Sequence, residues 1–464
     1  MPHVQLENVG YSFPSKKVFE GVTWRVDETT KAGLVGRNGT GKTTLLSIMI
    51  GDLEPENGVV YHSKDLRIGY LRQYYGTRTS KTMRAFLKET FSELEELRLR
   101  LESMERVMAA AAPGDPIPAD YGTLQERFEL AGGYTTDARM NAVIQGLGFT
   151  EAELDRPLDR FSGGEANRAA LAKILLEEPN LLILDEPTNH LDIDAMEWLE
   201  GYLRDFKGGV VMVTHDRYFL DRTVNQVVEL VNERLEIYQG GYNYYVTERG
   251  ERLERARKAF RLQQGLIRRT EDFVARNLAG QKTKQAQSRR RQLEKLERVE
   301  KPSENTRSMA VRFESDHYGG YRPVALRDLS MNFGNRAVLR DIQLELMRGD
   351  KVGFIGANGS GKSTLLHIIR GKFSPTSGEV ELGYRIRIGY YDQQLREVDP
   401  SLTVVEDFTF EYPQMTRFEA QSFLGRFLFT GEEVNKPVEV LSGGETARLA
   451  LAKLMYSRPN LLLL

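Results

Sequence analysis

Apolar residues along this chain fall into two patterns. The first is a set of short, nearly continuous runs: "KAGLVG" before Arg37, "LLILDEP" from Leu181, "GGVVMVTHD" from Gly208, "KVGFIG" before Ala357, and a closing "NLLLL". Runs of this length, bounded by Gly, Pro or charge, predict buried strands of a parallel sheet. The second pattern has helical spacing. In "TMRAFLKETFSELEELRLRLESMERVMAAAAPGDPIP", Leu87, Phe91, Leu94, Leu101, Met104 and Met108 recur near the helical period, with charged residues between them. "PGDPIP" then stops the helix. This predicts a small helical arm, packed on its own domain or reaching a partner. From Tyr242 a longer stretch almost free of Gly and Pro places Leu, Phe and Ile at helical intervals. "RNLAGQ" offers a turn near Gly280 and Pro302 a stop, which predicts two long helices joined as a hairpin. No apolar run approaches the roughly 20 residues that span a bilayer.

The strand-and-helix pattern occurs twice. "GRNGTGKTTLL" at Gly36 recurs as "GANGSGKSTLL" at Gly356, and "FSGGEANRAALAKILLEEPNLLIL" as "LSGGETARLALAKLMYSRPNLLLL". Lys42 to Lys362 is a shift of 320 (362 − 42), shared by Phe13 and Phe333 and by Gln73 and Gln393. Ser162 to Ser442 is a shift of 280 (442 − 162), so the first copy holds about 40 extra residues (320 − 280) around the arm. The expected organisation is an α/β domain over 1–242 with the arm at about 80–125, a helical-hairpin linker over 243–302, and a second α/β domain over 303–464. The second copy stops at Leu464, which aligns with Leu184, just before the acids that follow in the first copy. The second domain is therefore expected to be incomplete, and the chain a C-terminally truncated fragment.

Charge sharpens the reading of the linker. The formal net charge is only −2. Yet residues 249–301 hold 17 Lys and Arg against 7 Asp and Glu, or +10 (17 − 7), leaving about −12 for the rest. So concentrated an excess of one sign favours a polyanion partner over a merely solvated helix face. The chain has no cysteine. That excludes disulfides, thiolate metal sites and cysteine nucleophiles, and it fits a reducing cytoplasm. The N-terminal "MPHVQLENVGYSF" has no basic segment leading into an apolar core, so no secretory signal is expected.

The chemistry sits at the ends of the apolar runs. "GRNGTGKT" and "GANGSGKS" both fit the phosphate-binding loop G-x-x-x-x-G-K-[ST]. Its glycines permit a tight wrap with N–H groups turned onto phosphate oxygens, and the following helix adds its positive end. The residues expected to hold nucleotide are Gly36, Asn38, Gly39, Thr40, Gly41, Lys42, Thr43 and Thr44, and in the second copy Gly356, Asn358, Gly359, Ser360, Gly361, Lys362, Ser363 and Thr364. Lys42 and Lys362 are expected at the β- and γ-phosphates, and the Thr43 and Ser363 hydroxyls at Mg²⁺. After "LLIL", Asp185 is expected to hold a Mg²⁺-bound water and Glu186 to orient or deprotonate the attacking water. His215, at another strand end, is expected near the γ-phosphate. Ser162 and Glu165, with Gly163 and Gly164 between them, read as a capping box that starts a helix. So do Ser442 and Glu445 around Gly443 and Gly444. Glycines at a helix start can also offer N–H groups to an anion, so each cap could complete the other copy's nucleotide site.

Together, the two phosphate loops, Gln73 and Gln393, the two "SGGE" segments, "LILDEPTNHLD" and "THD" resemble the ATP-binding cassette superfamily across both halves of the chain. The resemblance implies two cassettes facing head to tail around two ATP, with Phe13 and Phe333 stacking on adenine and Gln73 and Gln393 at the metal. Two cassettes on one chain, joined by a basic hairpin containing "KTKQAQSRRRQLEKLE" and carrying an arm in the first copy, look like the ABC-F subfamily. That implies a monomeric, ribosome-associated ATPase acting as a translation factor, whose linker contacts tRNA and rRNA. The competing expectations are an ATPase subunit of a transporter and an ATPase that binds DNA structures.

Overall fold

The computed structural model describes residues 3–14, 16–72, 79–110, 119–277, 282–299, 301, 309, 315, 319–334, 336–392 and 398–464. It comprises two compact units, Met1–Ser303 and Glu304–Leu464. Gln73, Gln393, the "PGDPIP" segment, Gly280 and Pro302 lie outside the described residues. Among those described, no helix is long and apolar enough to cross a membrane.

In the first unit, β1 (Val4–Phe13), β2 (Lys16–Val26) and β4 (Asn57–His62) form an antiparallel sheet in the order β2-β1-β4. A six-stranded sheet runs β5-β6-β7-β3-β8-β9. Its strands are β3 (Lys31–Val35), β5 (Ile68–Leu71), β6 (Leu181–Asp185), β7 (Gly209–Val213), β8 (Gln226–Val231) and β9 (Arg234–Gln239). All its pairings are parallel except β8 with β9. Every residue of β6 and β7 is buried, as a parallel sheet covered on both faces requires. Strand alternation divides them. Leu181 and Ile183 join Leu45, Leu46, Phe19 and Trp24 on one face. Leu182 and Leu184 join Leu171, Leu175, Leu199 and Phe219 on the other.

The arm contains a helix over Ser92–Ala110 and another over Ala119–Leu130. Leu97, Leu101 and Phe128 form a small core of their own between them. Leu99, Val107 and Leu130 remain exposed. The linker begins with a 36-residue helix, Tyr242–Asn277. It is fixed to the large sheet where it starts. Arg249 Nε donates to both carboxylate oxygens of the buried Glu229 on β8, at 2.9 and 2.8 Å. Arg252 lies over the Tyr238 ring, 4.3 Å from its centre.

The returning helix, Thr283–Glu294, is shorter than the sequence pattern suggests. The cause is a side-chain bridge. Gln263 Nε2 donates to Glu297 O at 2.7 Å, and Gln263 Oε1 accepts from Val299 N–H at 2.7 Å. These bonds hold the chain against the long helix in a non-helical path, and the backbone groups of Glu297 and Val299 are satisfied without helical bonds.

The second unit repeats the antiparallel sheet with β10 (Val324–Phe333), β11 (Arg336–Leu346) and β12 (Ser377–Leu382), in the order β11-β10-β12. Among its described residues the parallel part is one pair, β13 (Ile388–Tyr390) with β14 (Leu461–Leu463). The apolar run "KVGFIG" does not form a strand, contrary to the sequence reading. In the first unit the matching β3 lies between β7 and β8 and bonds to both. Among the described residues of the second unit, no strand pairs with this run. Val352 is consequently 50% exposed, where its counterpart Ala32 on β3 is fully buried. A separate core forms around Phe408, Phe427 and Leu449. Beside it a buried ion pair joins Lys453 Nζ to Asp407 Oδ2 at 2.9 Å.

Candidate active site

The carboxyl ends of three parallel strands bring the first unit's chemistry together. β3 leads into the phosphate loop, β6 ends on Asp185, and β7 leads to His215. This is the edge at which open parallel sheets bind ligands. β7 sits between β6 and β3, and Asp185 pairs in register with Val213. A sequence separation of well over a hundred residues thus becomes direct contact.

The loop closes on its own lysine. Lys42 Nζ donates to Gly36 O at 2.9 Å and Arg37 O at 3.1 Å. Burial pulls the Lys42 ammonium below its usual range, and Asp185 and Glu186 work against that shift. Gly41 takes φ 101° just before the helix Lys42–Ile50, and a Cβ there would fall 2.1 Å from Val18 Cγ1. Only glycine meets both conditions. Thr43 Oγ1 lies 3.4 Å from Asp185 Oδ2, a loose hydrogen bond. Such a pair suits Mg²⁺, which takes one or two protein ligands and completes its shell with water and phosphate oxygens.

Asp185 and Glu186 are buried at 4% and 7% exposure. Burial pushes both carboxyls above the ordinary range. For Asp185 the Thr43 hydroxyl, Lys42 and His215 oppose the shift. For Glu186, His215 opposes it, while the charge of Asp185 adds to it. Glu186 stands at φ 54°, a left-handed conformation uncommon for a non-glycine residue. Its N–H donates to Val213 O at 2.7 Å, which fixes its backbone against β7. His215 Nε2 lies 3.5 Å from Glu186 Oε1, with the His side chain 72% exposed. A further brace was not visible in the sequence. The Thr188 and Thr214 hydroxyls bond to each other at 2.9 Å, tying the loop after Glu186 to the loop holding His215.

In the second unit Lys362 Nζ donates to Gly356 O at 2.7 Å and Ala357 O at 2.8 Å. Gly361, at φ 97°, precedes the helix Lys362–Ile369. The capping boxes form in both units. Ser162 N–H donates to Glu165 Oε2 at 2.7 Å, and Ser442 N–H to Glu445 Oε2 at 2.8 Å. Each starts a 14-residue helix. Phe13 and Phe333 present half-exposed rings at 48% and 47%. Sequence reasoning missed Lys16, whose Nζ donates to Gly39 O in the phosphate loop at 2.9 Å. The signal was present in the repeat, because Arg336 stands at the same place in the second copy.

On the linker, the Thr283–Glu294 helix and the residue after it line a groove of about 270 Å³ with Lys284, Gln287, Ser288, Arg291, Gln292 and Lys295. Three cations and three amide or hydroxyl groups make a surface that accepts phosphate oxygens.

Comparison with known proteins agrees with this geometry. The family profile described as "ABC transporter" matches residues 19–189 and 339–464, and a second profile so described matches 228–313. The putative ATP-binding protein YdiF of Bacillus subtilis is 40% identical over 99% of this chain and 72% of its own. ABC transporter F family member 5 of Arabidopsis thaliana is 36% identical over 99% of this chain and 69% of its own. The energy-dependent translational throttle protein EttA of Mycobacterium tuberculosis is 35% identical over 99% and 82%. Among solved structures, the archaeal ribosome recycling factor aABCE1, in complex with the ribosomal stalk protein aP1, aligns with 96% of this chain and 75% of that one. Its TM-score is 0.55 and its identity 19%, a likeness of fold.

Proposed function

This chain belongs to the F subfamily of ATP-binding cassette proteins and is an ATPase, and from that premise we propose that it is a translation factor that couples ATP hydrolysis to a ribosome-bound state. The observation that carries the proposal is the basic linker, a 36-residue helix and its returning partner within a stretch, residues 249–301, whose net charge is +10. That charge suits tRNA and rRNA, whose phosphates supply most of the affinity of such complexes. A relative named a translational throttle supports it. A cytoplasmic location follows from that role. In a transporter subunit, a charged hairpin between cassettes has no evident purpose.

In the proposed chemistry the N–H groups of Gly36–Thr43 cradle the triphosphate, Lys42 neutralises its β- and γ-phosphates, and Phe13 stacks on the base. Thr43 and Asp185 would hold Mg²⁺, which would supply positive charge to the loose transition state of phosphoryl transfer. Glu186 orients and deprotonates the attacking water, held in place by Val213 O and His215. A carboxyl raised by burial is a better base than an ordinary glutamate. Lys362 and Ser363 take the same parts in the second phosphate loop.

Sedimentation with purified ribosomes tests the proposal. The chain should co-pellet in ATP, Glu186→Gln should accumulate on ribosomes, and raised salt should release both. A chain that stays in the supernatant at low salt with ATP, while hydrolysing it, would refute the translation role.

A further inference from the structure

We propose that Lys16 and Arg336 are nucleotide-binding residues that contact the α-phosphate, each reaching it from the β-hairpin rather than from the phosphate loop. The inference rests on the ATP reading of the two loops given above. Three observations carry it.

The first is register. Phe13 and Lys16 are direct cross-strand partners on β1 and β2, and Phe333 and Arg336 on β10 and β11. Residues directly opposite in an antiparallel pair project on one face, with Cβ atoms roughly 5 Å apart. The cation therefore sits beside the ring assigned to the base.

The second is its reach. Lys16 Nζ donates to Gly39 O at 2.9 Å. In the second unit, a Cβ built on Gly359 would lie 3.7 Å from Arg336 Nη2. Gly359 matches Gly39 at the shift of 320, so both cations lie beside the same turn of the loop. The β-hairpin is held over the loop by packing as well. Val18 and Val338, two residues further along, are the side chains that a Cβ on Gly41 or Gly361 would strike, at 2.1 and 2.8 Å.

The third is chemical kind. The two copies carry different residues, Lys and Arg, that share only a positive charge and hydrogen-bond donors. Packing alone would not select for that shared property on an exposed position. Lys42 shows what such a group does in this fold, since it too donates to loop carbonyls, at Gly36 and Arg37. A nucleotide spanning from the Phe13 ring to the loop passes its ribose and α-phosphate beside Lys16. The ammonium then exchanges a neutral carbonyl for an anionic oxygen, the stronger acceptor.

Isothermal titration of the full chain with MgATP and MgADP tests this. Lys16→Met with Arg336→Met should weaken both nucleotides about tenfold, from the loss of one exposed charge-assisted bond at each site. The loss should be similar for ATP and ADP, because both carry the α-phosphate. Lys16→Arg with Arg336→Lys should restore both affinities to within about twofold, as charge and donors are kept. Thermal melting without nucleotide should be unchanged in every variant. Equal affinity in the Met double variant overturns the inference. So does a loss confined to ATP, which places the contact at the γ-phosphate, or a loss accompanied by lower melting that the Arg/Lys exchange does not restore. A parent chain that binds neither nucleotide overturns the ATP reading and this inference together, whereas loss on Lys42→Ala alone leaves the reading standing and the inference refuted.

Discussion

Replacing Glu186 with Gln separates the chemistry of the site from its architecture. The residue is 7% exposed, and its backbone is held at φ 54° by the bond from its N–H to Val213 O. Glutamine is nearly isosteric and leaves that backbone bond intact. It removes one negative charge and the ability to take a proton. A positioned general base contributes about 10²- to 10⁴-fold, or roughly 3–5 kcal/mol of barrier. Single-turnover hydrolysis should therefore slow by at least about a hundredfold. ATP affinity should hold or tighten, because a carboxylate facing the γ-phosphate is gone. Stability gives a second, independent reading. Burial raises the Glu186 carboxyl above its ordinary value. The folded state thus favours the neutral acid, and this contribution is present at low pH and lost as pH rises through the raised value. Glutamine stays neutral throughout, so the variant should melt no lower than the parent at pH 8. The advantage should shrink as pH falls toward 4. Hydrolysis within threefold of the parent, measured with pre-steady-state phosphate release, would remove Glu186 from the reaction. A variant that melts several degrees lower at pH 8 would refute the account of its burial.

Two other perturbations reach the rest of the molecule. Lys284→Ala, Arg291→Ala and Lys295→Ala together empty the linker groove of cations, and the log–log salt slope of ribosome binding should flatten by about 2–3 units, at roughly 0.7–0.9 per lost phosphate contact. An unchanged slope would show that the groove faces solvent in the complex; ATPase without ribosomes should not change. Asp407→Ala removes the buried carboxylate partner of the buried Lys453 and keeps the half-exposed Glu411, 3.1 Å away. The second unit should lose about 3–5 kcal/mol, and Asp407→Ala with Lys453→Met should recover most of it. Both tryptophans, Trp24 and Trp198, lie in the first unit, so hydrogen exchange across 404–456 is the measurement that checks it.

What could be read in the sequence, and what could not, follows from how far apart the cooperating residues are. The phosphate loops and capping boxes were legible because their partners lie within a few residues. Lys42 bonds to Gly36 O, and Ser162 to Glu165. Fixed spacing along the chain then implies fixed geometry. The run "KVGFIG" shows the opposite case. It has the same apolar character as "KAGLVG", yet only the latter is a strand, since β7 and β8 bond to it from 179 and 194 residues away (210 − 31 and 226 − 32). Strand propensity states that a segment suits a pleated, half-buried surface; it does not supply the neighbour. The returning linker helix fails for a related reason. Its charged pattern continues past Glu294, but Gln263 of the other helix captures the backbone at Glu297 and Val299. Lys16 is intermediate. Its partner Gly39 is 23 residues away, too far for a motif, but the duplication repeats the pairing in another residue type at Arg336. A tandem repeat thus serves as an internal comparison. Where two copies preserve a charge while exchanging the side chain that carries it, the position answers to something the charge must meet.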